Sequence, residues 1–270
     1  MDKPVAVFSP NPYSMFSIAT LELLIRSGVP VETIFVRSLF NPKRFIQEYR
    51  QNGYRFLRKI YRKLILRSSG LKTVSTDDMT IMRMMQQENI KGKNLWVLAQ
   101  QYNIRIISVA DYADAKVEQS LKTDPVACVV FTGGGIVPEK VIEASGLGVI
   151  NCHMGILPYY RGMDVVEWPL LEKKFELIGM TTHLMVKSID MGPIIETVLV
   201  DGKRFQHIAQ LRNFLESQMP LILVRATRNL LNNTAALKPQ RVSDGRLYFK
   251  MDSHLLAIAE KNLKNYYHET

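Results

Sequence analysis

Short apolar runs of strand length alternate with stretches of helical spacing along this chain, and few folds can absorb that alternation. Residues 5–9 (VAVFS) form a continuous apolar run, and residues 17–28 (SIATLELLIRSG) follow with helical spacing and a glycine stop. Residues 31–38 (VETIFVRS) read as a second strand, LWVLAQQYNI as a helix, and residues 104–109 (IRIISV) as a further strand. A helix over DAKVEQSLKTD then leads to residues 127–132, apolar until Thr132 closes the run. Strands without a polar face must be covered on both sides, which a parallel sheet between two helical layers achieves. The pattern therefore predicts an α/β fold, a Rossmann-like and mostly parallel sheet with helices on both faces. In such sheets ligands gather beyond the carboxyl ends of the strands, where strand order reverses. The polar residues just after the apolar runs thus carry the functional argument.

The chain has 270 residues, 47% hydrophobic and 22% charged, enough for one large domain or two small ones. No apolar run approaches the roughly 18 residues that cross a bilayer. The N-terminal stretch MDKPVAVFSPNPYS has an acid at position 2 and no small-residue cleavage pattern, so it is expected to be the first strand of a soluble, cytoplasmic protein. Cys128 and Cys152 sit in apolar contexts without metal-ligand spacing, which points to reduced core thiols and no metal site. The formal net charge of +10 is local, because residues 41–67 hold nine Lys or Arg against one Glu. Any argument from charge to a partner runs through that segment.

Three places after apolar runs stand out. Residues 132–142 (TGGGIVPEKVI) put three glycines before a predicted helix. They are either a tight strand-to-helix turn or a backbone that a flat ligand can approach closely. Residues 148–151 (GVIN) form a short strand, and residues two apart on a strand share a face, so Asn151 and His153 project together while Cys152 points away. The segment MTTHLMV alternates like a strand and places Thr181 and His183 on one face; Asp190 follows in a loop before Met191-Gly192. An aspartate before such a pair is ordinarily a turn former.

Taken together, Asn151-Cys152-His153, Leu157-Pro158-Tyr159-Tyr160-Arg161-Gly162, Gly179-Met180-Thr181-Thr182-His183 and Asp190-Met191-Gly192-Pro193-Ile194 resemble the motifs of the formyltransferases that use N10-formyltetrahydrofolate. The dense match covers about residues 127–195. The resemblance implies transfer of a formyl group to an amine through a tetrahedral oxyanion, with Asn151, His153 and Asp190 as the catalytic set. Asn151 would donate its amide to the developing oxygen, a type of contact whose loss costs about 10² to 10³ in rate. His153 would donate or relay a proton, as an imidazole suits. Asp190 would hold and orient His153. Folate binding is implied for Gly134, Gly135, Ile136 and Val137 and for Val186, Lys187, Ser188 and Ile189, whose backbone would read the pterin edge. The co-substrate expected is N10-formyltetrahydrofolate, with no metal.

The acceptor is less sharply indicated. Gly155 stands where the family commonly has serine, a form associated with sugar N-formyltransferases. Pro158, Tyr160, Arg161, Gly162 and Trp168 are candidate acceptor-side residues, and Arg161 has an equally good structural reading in its turn. The extra barrel domain usual in methionyl-tRNA members is not expected in these 270 residues, so a nucleotide-linked amino sugar for surface polysaccharide is the favoured acceptor. Aminoacyl-tRNA, peptide amines and a non-catalytic scaffold of the same fold remain the alternatives. The basic segment can form a helix with Phe56, Leu57, Ile60, Tyr61 and Leu64 on one side. It is open to readings as a solvated helix, a peripheral contact with an anionic membrane, a pyrophosphate-binding element, or, less favoured, a nucleic-acid contact. The division expected is a catalytic domain over 1–200, with a helical basic insertion at about 40–68, and a C-terminal extension over 201–270 that is helical with a short strand and a candidate homodimer surface.

Overall fold

The computed structural model describes residues 3–38 and 80–268. The basic segment 41–67 lies outside the described residues. Strand β1 (Val5–Ser9) is followed by helix α1 (Met15–Arg26) and β2 (Val31–Arg37). Two short helices, α2 (Ile81–Gln87) and α3 (Leu95–Gln101), precede β3 (Arg105–Val109), and α4 (Ala115–Thr123) leads to β4 (Val129–Phe131). Helix α5 (Glu139–Glu143) joins β4 to β5 (Val149–His153). Helix α1 starts where sequence reasoning left a loop, because the Ser14 hydroxyl accepts from the Ser17 amide and caps it two residues earlier than the apolar spacing suggested.

These five strands and two later ones, β7 (Gly179–Leu184) and β8 (Ile194–Leu199), form one sheet in the order β3-β2-β1-β4-β5-β7-β8. The pairs among β1 to β5 are parallel, and β7 and β8 are added antiparallel. The predicted fold class is therefore the observed one. Strand order reverses between β1 and β4, which is where a doubly wound sheet opens a crevice at its carboxyl end.

The two faces of β1 explain why its sequence has no polar alternation. Val5 and Val7 enter one core with α1, α2 and α3, whereas Ala6 and Phe8 enter another with Tyr112, Val117, Leu121 and Val141. The first core is closed by α7 (Ile208–Leu231), a 24-residue helix whose Leu211, Leu215 and Leu223 are fully buried. Between β5 and β7 lie the short strand β6 (Tyr160–Gly162) and α6 (Glu167–Leu171). After α7 the chain returns to pair β9 (Arg246–Tyr248) in parallel with β6, then ends in α8 (Ser253–His268).

Candidate active site

Strand β5 brings two functional side chains to one face by simple alternation. Ile150 and Cys152 point into the α7 side of the core, and Asn151 and His153 point the other way. The antiparallel register with β7 then sets His183 opposite Asn151 and Thr181 opposite His153. Asp190 arrives from the loop after β7. Its Oδ2 accepts from the Gly162 amide at 2.9 Å and lies 3.6 Å from His153 Nδ1, while its Oδ1 lies 3.6 Å from His183 Nε2. The sequence-predicted set Asn151, His153 and Asp190 is thus gathered in one place, together with His183.

The hydrogen bonds assign chemical roles to these rings. His153 Nε2 donates to the Tyr160 carbonyl at 2.9 Å, which fixes the ring while its other nitrogen faces Asp190. His183 Nδ1 donates to the Leu184 carbonyl at 3.0 Å, leaving the Nε2 lone pair to accept from Asn151 Nδ2 at 3.1 Å. Burial pulls the His183 pKa down from 6.5 to about 4; the charge of Asp190 opposes that fall and His153 adds to it. His183 is therefore neutral at physiological pH, as its accepting role requires. It holds one amide hydrogen of Asn151 and leaves the second free to donate into the site.

Two loops after strands flank this cluster. In the first, Gly134 and Gly135 both have φ of 109°, and a Cβ at Gly134 would come 2.8 Å from the Pro10 Cα. Ile136 is 89% exposed at its tip, while Val137 is buried in the second core. In the second loop, Val186 and Ile189 are exposed, and Lys187 Nζ meets Glu139 Oε2 at 2.9 Å, tying this loop to the helix that follows the first. Ser188 is also exposed. Exposed apolar side chains beside an exposed glycine suit a flat heteroaromatic ligand. Gly192 ends the loop where a Cβ would lie 1.7 Å from the Leu184 carbonyl oxygen, so the chain can double back there only without a side chain.

A family model of formyl transferases matches residues 57–227. The chain belongs to the formyl transferase family. Among individual proteins, it is 28% identical over 145 residues to the methionyl-tRNA formyltransferase of Desulforamulus reducens, covering 53% of this chain and 45% of that protein. The chain thus spans less than half the length of this curated relative. The solved structure of glycinamide ribonucleotide transformylase 1 from Symbiobacterium toebii superposes with a TM-score of 0.55 at 15% identity, covering 89% of this chain and 95% of that one. An N-formyltransferase from Helicobacter canadensis, solved with folinic acid and dTDP-3-aminofucose, gives 0.56 at 14% identity, covering 98% and 81%. At such identity these likenesses speak for the fold.

In this member of the family, the residues read as acceptor-side fall into two groups. Pro158 follows a cis peptide bond, and Tyr160 is buried, its hydroxyl donating to Glu172 at 2.8 Å and its ring stacked 5.2 Å from Tyr248. Arg161 is 6% exposed, and its guanidinium donates to the carbonyls of Gly245 (2.7 Å) and Val242 (3.2 Å) and contacts the Met191 sulfur. Of its two sequence readings, the structural one fits these contacts, because Nη2 is spent on two main-chain carbonyls and Nη1 on the Met191 sulfur. Trp168 donates its indole N–H to the Phe249 carbonyl at 3.0 Å and packs beside Tyr248. Gly162 faces the site through its amide bond to Asp190.

Cys152 is buried, and burial, followed by the Glu196 charge, pushes its thiol up to about 12, so no thiolate is at hand. Sequence reasoning left two site residues out. His183 was marked by its shared strand face with Thr181, and only its pairing with Asn151 across the sheet reveals a role. Gln240, which donates to the carbonyls of Asp190 (3.0 Å) and Gly192 (2.5 Å), carried no signal, being remote in sequence and in a segment without periodicity.

Proposed function

We propose that this protein transfers a formyl group from N10-formyltetrahydrofolate to a primary amine, and that the amine belongs to a nucleotide-linked amino sugar. The observation that carries the reaction is the Asp190 carboxylate set 3.6 Å from both His153 and His183, with the Asn151 amide on the same face. N10-formyltetrahydrofolate, when bound, supplies the formyl carbon. The pterin is assigned to Gly134, Gly135, Ile136 and Val137 on one side and Val186, Lys187, Ser188 and Ile189 on the other. The exposed Gly135, Ile136 and Ile189 support that assignment.

Asn151 donates its free amide hydrogen to the oxygen that gains charge as the amine adds, and a preorganised donor of this kind contributes about 2.7 to 4 kcal/mol. The Tyr160 carbonyl holds His153 through Nε2, so Nδ1, beside the Asp190 carboxylate, is the nitrogen that takes a proton from the attacking amine, and the nearby carboxylate favours the cation so formed. The amine attacks the formyl carbon directly, because the cysteine beside the site is buried and points away; as the bond from that carbon to N10 then breaks, the proton lost by the amine ends on N10 of the departing tetrahydrofolate. The sugar-nucleotide acceptor is supported by a likeness over nearly the whole chain to an enzyme solved with dTDP-3-aminofucose. Aminoacyl-tRNA is the second reading, favoured by sequence similarity to methionyl-tRNA formyltransferases.

The test is tetrahydrofolate release from N10-formyltetrahydrofolate with a panel of nucleotide-linked amino sugars and methionyl-tRNA, each product weighed by mass spectrometry for one added carbonyl. A gain on one sugar that disappears in Asn151→Ala and His153→Ala supports the proposal. A gain on methionyl-tRNA alone replaces the acceptor. Full activity in both variants refutes the catalytic assignment.

A further inference from the structure

We infer that residues 238–248 form a strap that holds the Asp190 loop in register with the rest of the site, with Gln240 as its positioning residue. The inference rests on the formyl transfer proposed above, because it concerns how that site is kept in shape. Asp190 sits in the left-handed region at φ 52°, which is uncommon for a residue with a Cβ but more accessible to aspartate than to most, and the contacts of its loop hold it there. Gln240 Nε2 reaches the main-chain carbonyls on either side of Met191, those of Asp190 at 3.0 Å and Gly192 at 2.5 Å. A flipped amide would set oxygen against both carbonyls, so the donors are what this position supplies. Among the described residues its buried Oε1 has no hydrogen-bond partner, a cost that the two N–H bonds offset.

The strap is fastened on both sides of Gln240. Upstream, Lys238 and Ile194 exchange main-chain hydrogen bonds of 2.8 and 2.9 Å, which join the strap to the first residue of β8. Downstream, Arg161 grips the carbonyls of Val242 and Gly245, and the Arg246 amide donates to the Tyr159 carbonyl at 3.1 Å as β9 joins β6. Strand β6 carries Gly162, whose amide donates to the Asp190 carboxylate. One stretch of chain therefore fixes the aspartate loop to the strand that presents its hydrogen-bond donor. Among the described residues, the charged and titratable groups facing Asp190 are His153 from β5 and His183 from β7, and Arg161 from β6 reaches its loop at Met191.

The test uses the full chain with Gln240→Met, which keeps side-chain length and removes both donors, and with Gln240→Ala. The first readout is the ring nitrogen NMR signals of the five histidines at constant pH. Those of His153 and His183 are expected to move, and those of His207, His254 and His268 to stay. The second is steady-state kinetics, with kcat lower by roughly tenfold to a hundredfold and KM for the folate nearly unchanged, as expected when a catalytic group is misplaced while a binding surface is intact. Unmoved His153 and His183 signals overturn the inference, as does a fall in thermal stability without a kcat effect, which assigns Gln240 to folding alone. If the unaltered protein transfers no formyl group, the proposed function fails, and the NMR comparison still decides whether the strap positions Asp190.

Discussion

In the proposed mechanism Asn151 can act as an oxyanion donor only while its amide nitrogen, and not its oxygen, faces the site, and His183 favours that choice by offering a lone pair at 3.1 Å. Replacing His183 with Phe keeps a ring in the buried space and removes the acceptor. The expected result is a kcat lower by about 10 to 10², less than loss of the donor itself, read from tetrahydrofolate release at saturating substrates. The same residue makes stability depend on pH. Its pKa is about 4 in the fold and 6.5 when free, so between those values the unfolded chain binds a proton that the native chain refuses. Stability from this source is complete above about pH 6.5 and declines as pH falls toward 4, by about 1.4 kcal/mol for each unit crossed. Urea unfolding at several pH values in this window should show a steeper decline in the unaltered protein than in His183→Phe, and parallel declines would refute the linkage. Gly155 tests the neighbouring ring by steric means. A Cβ there would lie 2.9 Å from His153 Nε2 and 2.8 Å from Val165 Cγ2. Gly155→Ala is therefore expected to cost about 1 to 3 kcal/mol by overpacking and to lower kcat by displacing His153. Thermal melts and turnover together check it, and a variant with neither change would show that Val165 gives way freely.

At the scale of elements, the site is built by pairing β5 with β7. The turn after His153 is held by one hydroxyl on β7: Thr181 accepts from the Leu157 amide at 3.1 Å and donates to the Gly155 carbonyl at 2.8 Å. Thr181→Val keeps the shape and removes both bonds at a fully buried position. A loss of about 1 to 3 kcal/mol is expected in chemical denaturation, with lower turnover because the turn carries Tyr160 toward His153. An unchanged denaturation midpoint would mean that the turn is held by its other contacts. This ladder also explains what could be read before the fold was seen. Alternation within β5 separates Asn151 and His153 from Cys152, and alternation within β7 groups Thr181 with His183, because both are local properties of a strand. The register that sets His183 against Asn151 is non-local, and no pattern within either strand contains it. The same limit hid Gln240, whose partners lie about 50 residues earlier in the chain. The motif run through Arg161 was visible as polar residues after an apolar strand. That Arg161 spends its Nη2 on the later Val242 and Gly245 carbonyls is again a fact of tertiary contact.

At the scale of the molecule, one core joins chain segments that sequence reasoning divided at residue 200. Val5 and Val7 of β1, Ile150 of β5, Leu215 and Leu223 of α7, and Ala259 and Leu263 of α8 belong to the same buried cluster. Helix α7 packs against α1 and α2 on one side and against β5, β7 and β8 on the other. A contact set of that kind couples the N-terminal strands to the C-terminal helices, so the described residues should unfold as one cooperative unit. The two tryptophans report on separate parts of it. Trp96 lies on α3 next to the buried Leu95, and Trp168 lies on α6 against Tyr248 of β9. Variants Trp96→Phe and Trp168→Phe each leave one reporter, and their denaturation midpoints should coincide after allowance for the substitution. Leu215→Ala, which opens a cavity at the centre of α7, should lower both midpoints together by an equivalent of about 2 to 5 kcal/mol. If Leu215→Ala moved the Trp168 signal and left that of Trp96 in place, the segment after residue 200 would be an independently folding extension. The strap that holds Asp190 would then be a module laid onto a finished sheet. Coincident shifts would mean that the sheet and the strap form together, and that the site exists only when the whole core does.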